Sequence, residues 1–71
     1  MEKIILREEF IKLGQALKAA GLVDSGVEAK DVITEGLVKV NGVVEYQRGK
    51  KIHGGDSIEF NNEIVQIVDH E

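Results

Sequence analysis

The 71-residue chain contains no cysteine, no proline and no tryptophan, and one Tyr and two Phe are its only ring-bearing apolar residues. Without cysteine there is neither a disulfide framework nor a thiolate metal site to supplement a small core, and only a weak lean toward a reducing compartment follows. Without proline or a flexible linker nothing marks a domain boundary, so residues 1–71 are expected to fold as one domain. A chain this short buries only about 60% of the surface it exposes unfolded, so its core must be compact and single. The scarcity of aromatics also removes the stacking platform by which many single-strand readers hold bases.

Long apolar runs are missing as well. Ile4 to Leu6 and Ile64 to Val65 fall far short of the roughly 18 to 20 residues of a spanning helix, and no charged-then-apolar signal segment follows Met1. A soluble, cytoplasmic protein without a membrane partner is expected. Nucleophile, base and orienter are gathered nowhere in the chain, which speaks against an enzyme. The stretch GKKIHGGD lacks the GxxxxGK[ST] pattern of a P-loop. His53 and His70 have no second ligand set, and Glu28, Asp31 and Glu35, at i, i+3 and i+7, read as a solvated helix face rather than a metal or acid–base site. No cofactor and no metal are expected.

The charge that is present is sorted along the chain. The total is −4, which by itself disfavours nucleic acid, because phosphate binding draws most of its affinity from Lys and Arg. Residues 37–53, however, carry Lys39, Arg48, Lys50 and Lys51 against Glu45 alone, for +3, while residues 1–36 carry −2 and residues 54–71 carry −5. Such asymmetry bears on partners more directly than the overall balance does.

Lys3 to Leu6 suit a short opening strand. Phe10, Leu13, Leu17 and Ala20, with Ala16 beside them, form a helical apolar stripe ended by Gly21. Gly14 within it costs about 1 kcal/mol relative to Ala, which points to a close contact or to a helix that starts nearer Leu13. Ser25, three residues before Glu28, makes a capping box for a second helix that buries Ala29, Val32 and Ile33 and closes at Gly36. The pair is expected to pack as a helical hairpin.

Beyond Gly36 the period becomes two. Asn41-Gly42 signals a turn, and a three-residue loop from Asn41 to Val43 would pair Val40 with Val44 and Val38 with Tyr46, keeping the apolar face whole. A two-residue loop would pair Val40 with Val43 and bring Glu45 onto the face of Val38. The first register is preferred, and it sets Lys39 opposite Glu45. RGKKIHGGD then connects to a closing hairpin through Asn61-Asn62. Phe10 and Phe60 read as core, and Tyr46 as part of the apolar strand face. Gly49 lets the backbone bend between Arg48, Lys50 and Lys51, so that the cations point in more than one direction.

The ordered set Leu17, Ser25, Ala29, Lys30, Ile33, Gly36, Val38, Val40, Asn41, Gly42, Gly55, Asp56 and Ile58 resembles the S4-like, alpha-L motif RNA-binding domain over about residues 10–68. Within that family it is most similar to the small stand-alone bacterial members of the YaaA and YbcJ type. The resemblance implies an α+β fold, a two-helix hairpin packed on a small antiparallel β-sheet. It also implies a bacterial cytoplasmic protein that binds ribosomal or other structured RNA in ribosome assembly or translation; a non-catalytic monomer in contact with a ribosomal subunit is expected. Two positions depart from the pattern. Lys12-Leu13-Gly14 replaces the usual Arg-Leu-Asp opening, and Gly26 stands where many members have Arg.

On residues and resemblance together, the candidate RNA contacts are Lys18, Ser25, Lys30, Lys39, Asn41, Arg48, Gly49, Lys50 and Lys51. Ser25 doubles as a helix cap, since a helix N-terminus can also hold phosphate. Asn41 and Gly42 are first of all turn residues. With no aromatic free to stack, recognition would rest on A-form backbone geometry and 2′-hydroxyls. The rival reading is a protein-interaction adaptor that retains the fold without RNA affinity.

Overall fold

The computed structural model describes residues 2–69. Strand β1 (Glu2–Ile5) is followed by β2 (Ile11–Lys12), helices α1 (Leu13–Ala19) and α2 (Gly26–Thr34), and strands β3 (Val38–Val40), β4 (Val43–Val44), β5 (Lys51–Ile52), β6 (Ser57–Phe60) and β7 (Glu63–Val68). A five-stranded sheet runs β1-β7-β6-β3-β4, and β2 pairs with β5 in a separate two-stranded ribbon. Every pairing is antiparallel except that of β1 with β7, which is parallel. The fold is therefore α+β, with the helical pair on one face of a largely antiparallel sheet.

The core lies between them. Leu13 and Leu17 from α1, Ile33 from α2, Val38, Ile58, Val65 and Ile67 from the sheet, and Ile52 from the ribbon are all fully buried. Alternation along β3, β6 and β7 sends these side chains inward and leaves Lys39 and Gln66 on the other face, as a half-covered sheet requires. Among the described residues no helix is long and apolar enough to cross a membrane.

Helix boundaries follow from local chemistry. Ser25 Oγ accepts the Glu28 N–H at 3.1 Å, and Glu28 Oε1 accepts the Asp24 N–H at 2.8 Å, so the reciprocal half of the capping box reaches one residue beyond Ser25. Gly21 and Gly36, with φ of +75° and +79°, end the two helices. In both cases the following residue donates six-to-one into the last turn, Leu22 to the Leu17 carbonyl and Leu37 to that of Val32.

Helix α1 is shorter than its apolar stripe predicts. Ile11 and Lys12 are held extended by pairing with Ile52 and Lys51, and Lys12 keeps φ −76° and ψ 146°. Phe10 is thus outside the helix. The residues read from sequence as a plain connecting loop supply β5, which is what fixes the start of α1.

The β3–β4 hairpin corrects the expected register. Val40 pairs with Val43 and Lys39 with Val44, around a two-residue Asn41-Gly42 loop. Both loop residues have positive φ, +52° and +83°, the backbone of a type I′ turn whose twist matches that of the strands. The three-residue loop would have preserved alternation along a longer strand. Here β4 leaves the sheet after Val44, with only Glu45 N donating back to Val38 O at 3.0 Å, so there is no extended apolar face to protect. Val43 is exposed as a result, and so is Tyr46, whose ring lies over Gly36 instead of on a strand face. Lys39 stands opposite Val44 and Glu59 rather than Glu45.

Candidate functional site

Pairing of β5 with β2 lays the turn from Gln47 to Lys50 against the start of α1. That helix has no side-chain cap; its first two N–H groups donate to the loop, Leu13 to Lys50 O at 2.9 Å and Gly14 to Arg48 O at 3.1 Å. Orphan donors of a helix end are thereby satisfied by backbone carbonyls. The same contact explains Gly14. A Cβ there would lie 2.9 Å from Arg48 Cγ and 3.6 Å from Cδ, so the missing side chain is the space in which the Arg48 stem packs.

Laid across Gly14, Arg48 shares a groove of about 260 Å³ with Lys12, Gln15, Lys18 and Gly49. Three cations and no carboxylate line it. The alkyl stem of Arg48 is packed while its guanidinium stays at an exposed position, an arrangement that holds a charge in place at little entropic cost.

On the other side of Gly49 the chemistry differs. Lys50, Lys51 and His53 line a cavity of about 510 Å³ together with Asn41, Glu45 and Asp56. Two lysines there face two carboxylates, so their formal charges cancel. The Lys51 ammonium also sits 4.9 Å from the centroid of Phe10, whose ring lies 6.0 Å from that of His53. Phe10 is consequently a half-buried platform for this cation rather than a core residue.

Asp56 ties this region together. Its carboxylate accepts the His53 N–H at 2.8 Å and the Asn41 amide at 3.0 Å. Partial burial pushes its pKa up, but the His53 N–H, the Asn41 amide and the charges of His53 and Lys50 outweigh that and hold it below the usual carboxylate range. A depressed folded pKa contributes stability that is present above the unfolded value and lost as pH falls through the folded one. In thermal melts, the advantage of the native chain over Asp56→Asn should therefore hold at neutral pH and shrink below about pH 4. A difference that does not change with pH would show that the charge of Asp56 is not what matters.

The remaining candidates are dispersed. Ser25 is engaged as the α2 cap. Asn41 has both ends of its amide occupied, Oδ1 accepting the Ser57 N–H at 2.9 Å and Nδ2 donating to Asp56. Lys30 is exposed on α2 and Lys39 on the sheet face away from the helices, and neither lines the two cavities described above. The groove also brings in Lys12 and Gln15, which are not among the candidates read from the sequence. In the sequence Lys12 stands out only as the replacement for an Arg, and it keeps a cation at that position. Among the described residues no three metal-ligating side chains converge; His70 lies outside them.

The family model described as S4 domain matches residues 4–68. Over 58 residues the chain is 41% identical to YbcJ of Escherichia coli (strain K12), named "Putative RNA-binding protein YbcJ", covering 82% of this chain and 83% of that one. Over 57 residues it is 41% identical to the "Probable ribosome maturation protein RlbA" of Bacillus subtilis (strain 168), covering 80% of each. The solution structure of E. coli YbcJ, described as revealing an alpha-L motif involved in RNA-binding, superposes with a TM-score of 0.74 at 38% identity over 96% of this chain and 87% of that one.

Proposed function

The chain belongs to the S4 domain family, and from that premise we propose that it is a non-catalytic, cytoplasmic protein that binds structured RNA, ribosomal or similar, through phosphates and shape. The observation that carries this reading is the groove in which Lys12, Lys18 and Arg48 meet without a carboxylate. Two phosphates of one strand, or one from each side of a narrow groove, would suit cations fixed on a helix and on the turn against it. The names of YbcJ and RlbA support RNA as the partner and ribosome maturation as the setting. We infer further that the protein acts as a monomer on a ribosomal subunit or its precursor.

Charge balance ranks the candidates. Lys12, Lys18 and Arg48 form the principal contact, Lys50 and Lys51 a secondary one discounted by Glu45 and Asp56, and Ser25 and Asn41 serve mainly as cap and turn. Lys30 and Lys39 lie at its margins.

A salt titration tests the reading. With about four cations on phosphates, log K should fall with log salt at a slope of roughly −3 to −4. No binding to any structured RNA at about 50 mM salt would refute it, because a phosphate-driven contact is strongest there. Pull-down from lysate that survives nuclease would favour a protein-interaction adaptor instead.

A further inference from the structure

Helix α1 has a second groove on its other side, and the two grooves meet at Gln15 and Lys18. This second cleft, about 410 Å³, lies between α1 and the segment that runs from β1 to β2. Ile4, Leu6, Phe10, Ile11 and Ala19 supply its apolar lining, while Arg7 and Glu8 join Gln15 and Lys18 as its polar groups. Its volume falls in the roughly 300–1,000 Å³ range of small-molecule sites, which pair apolar walls with a few polar groups that fix orientation.

We propose that this cleft receives one unpaired nucleobase of the bound RNA, whose backbone phosphate lies in the Lys12–Lys18–Arg48 groove. The inference rests on the RNA-binding reading and narrows it to a class, RNA helices carrying a bulged or looped-out nucleotide. Continuity is the argument. Gln15 and Lys18 are one helical turn apart on the same face and border both spaces, so an occupant of one is next to an occupant of the other. A nucleotide is a single unit with an anionic end and a flat, largely apolar end edged by hydrogen-bonding groups. The paired grooves present the matching surfaces in the same order.

Polar chemistry agrees with a base. The Gln15 amide offers both a donor and an acceptor, and Arg7 and Glu8 add one kind each, which suits the mixed edge of a nucleobase better than an alkyl chain. Phe10 serves as a wall. One face of its ring carries the Lys51 ammonium, so apolar contact and edge recognition, rather than an open stacking platform, hold the base. Only an unpaired base can leave its stack cheaply enough to enter.

Two RNA hairpins test the proposal, one with a fully paired stem and one with the same stem carrying a single bulged nucleotide, each bulge base being tried in turn. Fluorescence anisotropy should show at least one bulged stem bound about tenfold more tightly than the paired stem, the low end of what burying one bulky apolar group contributes. Ala19→Leu fills the cleft from an exposed helical position without opening the core. It should abolish the preference for the bulge and leave affinity for the paired stem unchanged. A 2-aminopurine placed in the bulge should change its emission on binding the native chain and not on binding Ala19→Leu. Equal affinity for paired and bulged stems, or a preference that survives Ala19→Leu, would overturn the inference while leaving phosphate-driven RNA binding intact. Failure of every stem to bind at low salt would overturn that reading and the inference with it.

Discussion

Reversal of Lys12, Lys18 and Arg48 to Glu should lower affinity for structured RNA by about a thousandfold at ~50 mM salt, because each lost phosphate contact forfeits roughly 0.9 of a decade per decade of salt below 1 M. The expected salt slope of the triple variant is correspondingly shallow, about −1. All three residues are at exposed positions, so circular dichroism and thermal melting should report a folded domain. Arg48→Met is the sharper single change. It retains an alkyl stem to pack on Gly14 and removes the charge alone, and should cost about tenfold in affinity.

Reversing Lys50 and Lys51 instead should cost less per charge, since Glu45 and Asp56 already offset them within their own cavity. Equal losses from the two sets would mean that Gly49 does not divide the surface as its charges suggest. Gly14→Ala joins the two arguments. Its Cβ would take the place of the Arg48 stem, so it should weaken RNA binding without removing any cation.

Much of this was legible in the residues. Ser25, Glu28, Gly21 and Gly36 mark their helix ends because capping is local chemistry, readable over three to six residues. The closing hairpin was equally plain from Asn61-Asn62, whose φ values of +54° and +66° repeat the I′ turn. What failed was non-local. Nothing within Ile11 and Lys12 says that they pair with Ile52 and Lys51 some forty residues later, and a helical stripe that includes Phe10 looks the same whether or not that pairing exists. Register differs at Val43 for a related reason, since alternation decides it only where a strand is long, and β4 spans just Val43–Val44. The role of Gly14 lay between the two kinds: its cost was visible, but its partner, Arg48, was supplied by the fold.

Asn41→Ala should destabilise the domain by about 2 kcal/mol, from about 1 kcal/mol for a left-handed backbone without Asn or Gly and about 1 kcal/mol net for the lost hydrogen bonds. The residue does two things at once. Its backbone N–H donates to Ser57 O at 2.9 Å, and its side-chain Oδ1 accepts the Ser57 N–H where a strand carbonyl would otherwise stand. Left-handed φ turns the residue's own carbonyl away from β6, and the amide replaces it. Its Nδ2 meanwhile helps hold Asp56, so the hairpin tip and the Gly55-Asp56 turn are fastened to each other. In a domain of this size such a loss should lower Tm by roughly 10 °C. Asn41→Gly separates the contributions: it restores the backbone and not the amide, and should recover about half of the deficit. RNA affinity measured well below either Tm decides the remaining question about this residue. If the amide only fastens the turn, both variants bind as the native chain does, whereas an equal loss of affinity in the two would assign Asn41 to the RNA contact.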